Sequence, residues 1–275
     1  MRRLVTVVSL LLAAVSVGSL GSSAVADQGA ETCLGLPATI TGTEGDDVLT
    51  GTPGIDVIAG MDGTDRIDGG AGDDVICGGD NPLVEEGPLD DDLPNTIQLV
   101  SEVIYGGEGN DRIDAGPGND IVYAGPGNDW VSIGTSQFWP ARDEVAGEAV
   151  SGGPGDDILR SDGGRGARMG GDRGRDVLYG GAFDDSLGGG EGDDVLRGFG
   201  GNDRLEGRSG ADALLGGVGD DELYGGDGPD QNRGGPGSDL LDGGPGRDEN
   251  FGGPGPAFRD RCISPASGPG ARSCD

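Results

Sequence analysis

The chain has 275 residues, of which 62 are Gly and 50 are Asp or Glu, against 18 basic residues that are all Arg; it has no His and a formal charge of −32. Large apolar side chains are sparse and Gly loses more backbone entropy on folding than any other residue, which argues against an ordinary globular core unless a period organises the chain. The charge argues against nucleic acid or an anionic membrane as a direct partner and makes cations the natural ones, while the lack of His excludes His-based triads and His-ligated zinc.

Residues 1–26 have the layout of a secretory signal peptide. Arg2 and Arg3 form a positive start, an apolar run follows from Leu4 to about Leu20, and Ala24-Val25-Ala26 is an A-x-A site before Asp27. A transmembrane anchor is the competing reading, disfavoured by so short an apolar run. The mature product is expected to be secreted, extracellular and soluble, with no direct membrane insertion. Residues 27–41 are read as an N-terminal capping segment.

From Gly42 the chain falls into nines: GTEGDDVLT, GTPGIDVIA, GMDGTDRID and GGAGDDVIC. The frame returns at Gly106 with GGEGNDRID, AGPGNDIVY and AGPGNDWVS, continues with GGPGDDILR at 152–160, and runs on from Gly171 to Phe251. The pattern G-G-x-G-x-D-x-U-x, with U apolar, is a known signature of calcium-binding repeats. In this register the chain resembles the RTX, or haemolysin-type, family over roughly residues 40–255. The resemblance implies an all-β, right-handed parallel β-roll in which two nonapeptides make one full turn, GGxGxD forming a loop and xUx a short strand.

The residue types support that expectation independently. Gly at positions one, two and four allows unusual backbone conformations and close approach of carbonyls to an ion. Position six supplies an anionic oxygen suited to a hard cation such as Ca²⁺. It is filled by Asp47, Asp56, Asp65, Asp74, Asp111, Asp120, Asp129, Asp176, Asp185, Asp194, Asp203, Asp212, Asp221, Asp230, Asp239 and Asp248, the expected metal ligands. Position eight points inward and is aliphatic, from Leu49 and Ile58 to Leu223 and Leu241. Loops two units apart stack on the same side of such a roll, so ligand pairs are expected 18 residues apart, giving about ten complete sites. A disordered tract is disfavoured by the regular aliphatics, and a metal-free solenoid by stacked carboxylates without basic partners.

Several units depart from the pattern. SDGGRGARM, from Ser161, reads as lacking both the acid and the inward aliphatic, which leaves Asp157 without a clear partner. Phe183 replaces Gly at position four, so its loop is expected to bind weakly or not at all. Asn232 and Asn250 replace inward aliphatics, predicting fraying or a cap near the C-terminus. The roll, spanning 42–255, is interrupted near 80–105 and 133–151. Each interruption is an insertion followed by a degenerate re-entry unit with Glu102 or Glu148 at the ligand position, and each is read as a loop extruded from a continuous roll. Phe138 and Trp139 in the second either bind a partner or cover an edge.

Residues 256–275 are read as a disulfide-closed tail. Of three possible cysteine connectivities, Cys262–Cys274 is the local pair, and Cys33–Cys77 would tie the N-terminus to the fourth unit. If residues 33–41 simply formed a preceding turn, Cys33 would lie about 9–10 Å from Cys77, beyond disulfide reach. The N-terminal segment must therefore run back along the roll.

The functional expectation is extracellular calcium binding by stacked loops, with calcium-driven folding after export and a scaffold or binding role, and no enzymatic activity. RTX repeats usually accompany a separate effector domain, and here repeats fill nearly all of the mature sequence. Two alternatives stand beside it: calcium-dependent adhesion, through a cell-wall polymer or self-association, and a secreted hydrolase using carboxylate pairs such as Asp46/Asp47. The repeat explains those pairs without catalysis.

Overall fold

The computed structural model describes residues 31–79, 102–116, 118, 120–134, 149–161, 166–253 and 260–263. The expected signal peptide, most of both insertions with Phe138, Trp139 and Glu148, and Cys274 lie outside them. Among the described residues there is no helix, and two parallel sheets of eleven short strands each face one another.

Each nonapeptide contributes one strand, and successive strands alternate between the sheets. Two units therefore make one rung, and residue i lies beside i+18: Leu49 beside Ile67 in one sheet, Ile58 beside Ile76 in the other. Side chains alternate across a strand, so position eight faces in while seven and nine face out. The inward residues, among them Ile67, Ile113, Val131, Leu196 and Leu223, are fully buried and stack into a continuous aliphatic column.

Both insertions are bridged by direct strand pairing. Ile67 lies beside Ile104 and Ile76 beside Ile113 across the first, and Val122 beside Val150 and Val131 beside Leu159 across the second. The sheets continue past each because the inserted residues change sequence separation without changing which strands stack.

Three local expectations are corrected. The irregular unit after Ser161 keeps an inward side chain, one position later than a strict count of nines puts it. Met169 is thereby buried between Val150 and Leu187, and Ala167 stands where the acid would be. Asn232 and Asn250 do not fray the roll. Their strands pair in register, and the buried Asn232 Nδ2 donates to Asn250 Oδ1 at 2.9 Å. An amide ladder suits this row because strand spacing matches the reach of one amide to the next. The parallel register also runs past residue 255, since Arg261–Ile263 pairs with Leu240–Asp242 and places Cys262 beside Leu241.

At the other end, Thr32–Cys33 and Leu36–Pro37 form a small antiparallel hairpin through Leu34 and Gly35, both at positive φ. The hairpin turns the segment back along the roll. Cys33 reaches Cys77 in a disulfide with Cα atoms 5.6 Å apart. Cys262 is also disulfide-bonded.

Candidate metal centres

The loops between strands stack on the two long edges of the roll, and the position-six acids form a ladder along each. On the first edge the ladder is Asp56, Asp74, Asp111, Asp129, Asp157, Asp176, Asp194, Asp212, Asp230 and Asp248. In every step the backbone N–H of one acid donates to Oδ1 of the acid one rung later, at 2.8–3.2 Å. The ladder is unbroken. The second edge carries Asp47, Asp65, Glu102 and Asp120, and then Ala167, Asp185, Asp203, Asp221, Asp239 and Asp260. The same bond links Asp47 to Asp65, Glu102 to Asp120, and each neighbour from Ala167 to Asp260.

All sixteen acids singled out from the sequence lie in these ladders. Three more acids join them, two of which escape the spacing rule. Asp157 takes an N–H from Asp129 and gives its own to Asp176, separations of 28 and 19 residues that a fixed interval of 18 does not find. Asp260 lies 21 residues after Asp239 for the same reason. Glu102, read in the sequence as standing at the ligand position of a degenerate re-entry unit, is fully buried. Burial, with the Asp120 carboxyl beside it, pushes the Glu102 carboxyl up to about 10.

A second, outer ladder runs through position five. Here the side-chain oxygen accepts from the backbone N–H one rung later, as Asp73 does from Asn110, Asn110 from Asn128, Asn128 from Asp156, and Asn202 from Asp220. Its signal in the sequence is the recurrence of Asp and Asn just before the position-six acid.

One carboxylate oxygen of each inner Asp is thus bound to the backbone, whereas both Glu102 oxygens are buried without a partner. The other Asp oxygen, Oδ2, is buried without a partner in Asp65, Asp74, Asp111, Asp120, Asp129, Asp157, Asp176, Asp194, Asp203, Asp212, Asp221, Asp230, Asp239 and Asp248. Burying an ionised oxygen unpaired is expensive, so such an array calls for a counter-charge. Among the described residues Arg175 pairs with the exposed Asp156, Arg173 with Glu191, and Arg204 with Glu206 and Glu222, away from these oxygens.

The lone oxygens point into a cradle that glycine keeps open. A methyl group on Gly225 would overlap Asp230 Oδ2 and meet the Gly243 carbonyl of the next rung at 2.7 Å. The same holds at Gly207 for Asp212 and the Gly225 carbonyl, and at Gly69 for Asp74 and the Gly106 carbonyl. A carboxylate oxygen beside a backbone carbonyl is a hard-cation donor set of the kind calcium takes. Among the described residues no three acid, Cys or His side chains converge, so an ion here would draw the rest of its shell from carbonyls. The donor chemistry fits calcium.

The carboxyl acidities carry the same mark. Burial first, and then the like charge of neighbouring acids, pushes Asp111 and Asp230 up to about 6 and Asp157, Asp203 and Asp212 up to about 7, against the opposing pull of the backbone N–H. A divalent ion would replace the proton that these values favour.

A family model for the RTX calcium-binding nonapeptide repeat matches residues 41–76, 101–131, 170–198, 197–231 and 233–255, more than half of the chain. The protein belongs to the RTX calcium-binding nonapeptide-repeat family. As RTX repeats, these loops belong to a calcium-binding class. No curated protein matches the chain. Among solved structures it is similar to a hyperactive, Ca²⁺-dependent, β-helical antifreeze protein from an Antarctic bacterium, at 17% identity, 82% coverage of each chain and a TM-score of 0.31.

Proposed function

We propose that this is an extracellular, non-catalytic scaffold that calcium folds after export. The observation carrying the proposal is the array of buried, partnerless Oδ2 atoms beside loop carbonyls, repeated along both edges of the roll. In this reading the calcium ligands are drawn from the sixteen Asp residues named from the sequence, joined by Asp157, with the partnerless Oδ2 atoms as the donors. Bound calcium neutralises stacked carboxylates that otherwise repel. Without it the acidic, glycine-rich chain has a thin core, one inward side chain per nonapeptide, and stays unfolded during export. The signal-peptide layout of residues 1–26 supports the extracellular setting, where calcium modules bind at about 10⁻⁴–10⁻³ M. The recurring acids are assigned to ion binding rather than to acid–base chemistry.

The test is a calcium titration of the metal-stripped mature chain, followed by far-UV circular dichroism, with magnesium as control. Strand signal should rise cooperatively near 10⁻⁴–10⁻³ M calcium and not with magnesium, which dehydrates reluctantly and demands a stricter geometry. Equal strand content in chelator and in calcium would overturn the proposal. Size-exclusion chromatography at the titration endpoint separates a monomeric scaffold from calcium-dependent self-association.

A further inference from the structure

The loops occur in two states, and the backbone at position two tells them apart. From Asp47 to Asp248, every described ladder acid with a partnerless Oδ2 belongs to a unit whose position-two residue has positive φ, as at Gly107 (112°) and Gly226 (109°). In this open state the position-two N–H can turn to the next rung, as Gly107 N–H does to the Ala124 carbonyl at 3.0 Å. Asp47, Asp56 and Asp185 are different. Position two there, Thr43, Thr52 and Gly181, is not at positive φ, and its N–H donates to the unit's own Oδ2 at 2.6 Å. The threonine hydroxyls add a second bond to the same oxygen, at 2.9 Å from Thr43 and 2.8 Å from Thr52. These loops are closed on themselves.

The side chains explain the closure. Thr is β-branched and strongly disfavours positive φ, so Thr43 and Thr52 hold their loops shut. In the third unit, Phe183 replaces a position-four glycine that takes positive φ in most open units, as Gly174 (138°) and Gly192 (139°) do, though not at Gly237 or Gly246. The reverse case is as informative. Met61, Asp172, Phe199 and Arg208 sit at position two with φ of 74–80° although they are not glycine. A side chain held in that region points to a compensating interaction, and each of these units keeps its Oδ2 partnerless.

We infer that open loops take calcium and closed loops do not, with Thr43, Thr52 and Phe183 excluding an ion from their own units. This deepens the calcium reading and rests on it. The ion array would begin one rung in from the N-terminal end, where threonine donors do the work of metal on the rungs beside the Cys33–Cys77 bridge. It would also skip the rung at Ala167 and Asp185.

The test counts bound ions by equilibrium dialysis of the mature chain against saturating calcium, with strand content checked by circular dichroism. Opening both N-terminal loops with T43G/T52G creates two new adjacent open pairs, Asp47 with Asp65 and Asp56 with Asp74, so about two more ions should bind. F183G, far from that end and independent of its folding, should add about one, between Asp185 and Asp203. If the parent binds calcium and neither variant gains an ion, the two-state assignment is overturned and the calcium reading survives. A parent that binds no calcium overturns both.

Discussion

With calcium removed, the roll is expected to form at about pH 5 and to come apart as the pH is raised through about 7. In the folded chain burial and stacking disfavour the charged form and push Asp111 up to about 6 and Asp129, Asp203 and Asp212 up to about 7, against about 4 for an unfolded Asp. A carboxyl whose folded value is raised holds its proton more tightly in the native state. Its contribution is therefore complete below the unfolded value and is lost as pH rises through the folded one. Many such groups act together, so the loss should be steep between about pH 4 and 7. Calcium reverses the trend by taking the place of the protons, and the loaded roll should hold at neutral pH and weaken in acid. Circular dichroism in chelator across this range checks the sign. A metal-free chain that gains structure as the pH rises would show that the acids are not buried together.

The second large effect lies in the aliphatic column. Leu205→Ala should cost about 2–5 kcal/mol of stability in saturating calcium, since it removes a fully buried side chain stacked between Leu187 and Leu223. Each rung has so few inward side chains that neighbours have little freedom to fill the gap. Leu215→Ala, on the outward face of the neighbouring strand, should cost well under half as much. Urea unfolding followed by hydrogen exchange is the appropriate pair of measurements. A solenoid is stabilised by its own units and nearest-neighbour interfaces, so the damage should centre on the altered rung. Equal losses from the two substitutions would contradict the inward assignment of position eight.

Much of this architecture is legible in the residues because the repeat is strict. One period sets strand, loop and inward position together, so Leu196, Asp194 and Gly189 find their places from spacing alone. Reading by fixed spacing fails where the chain inserts residues. Asp157 loses its apparent partners because insertions lie on either side of it, yet rungs stack in space regardless of how many residues separate them in sequence. Met169 is displaced by one position because the unit carries an extra residue while its strand keeps the register of its neighbours. Asn232 and Asn250 look like defects singly and become a hydrogen-bonded ladder only as a stacked pair. The loop states are the least legible, since Thr43 and Thr52 differ from glycine by φ and by a hydroxyl, and their consequence appears only at Asp47 and Asp56 Oδ2.

The central claim is that stacked inner carboxylates cannot coexist at neutral pH without a divalent ion between the rungs. Hydrogen exchange at the backbone amides of Asp111, Asp176, Asp194 and Asp212, each bonded to the acid of the next rung, tests it at the atoms concerned. With calcium at about pH 7.5, these amides should be strongly protected, and in chelator at the same pH the whole ladder should exchange freely. Protection that persists in chelator would mean that the roll stands without its ions, and would contradict the claim.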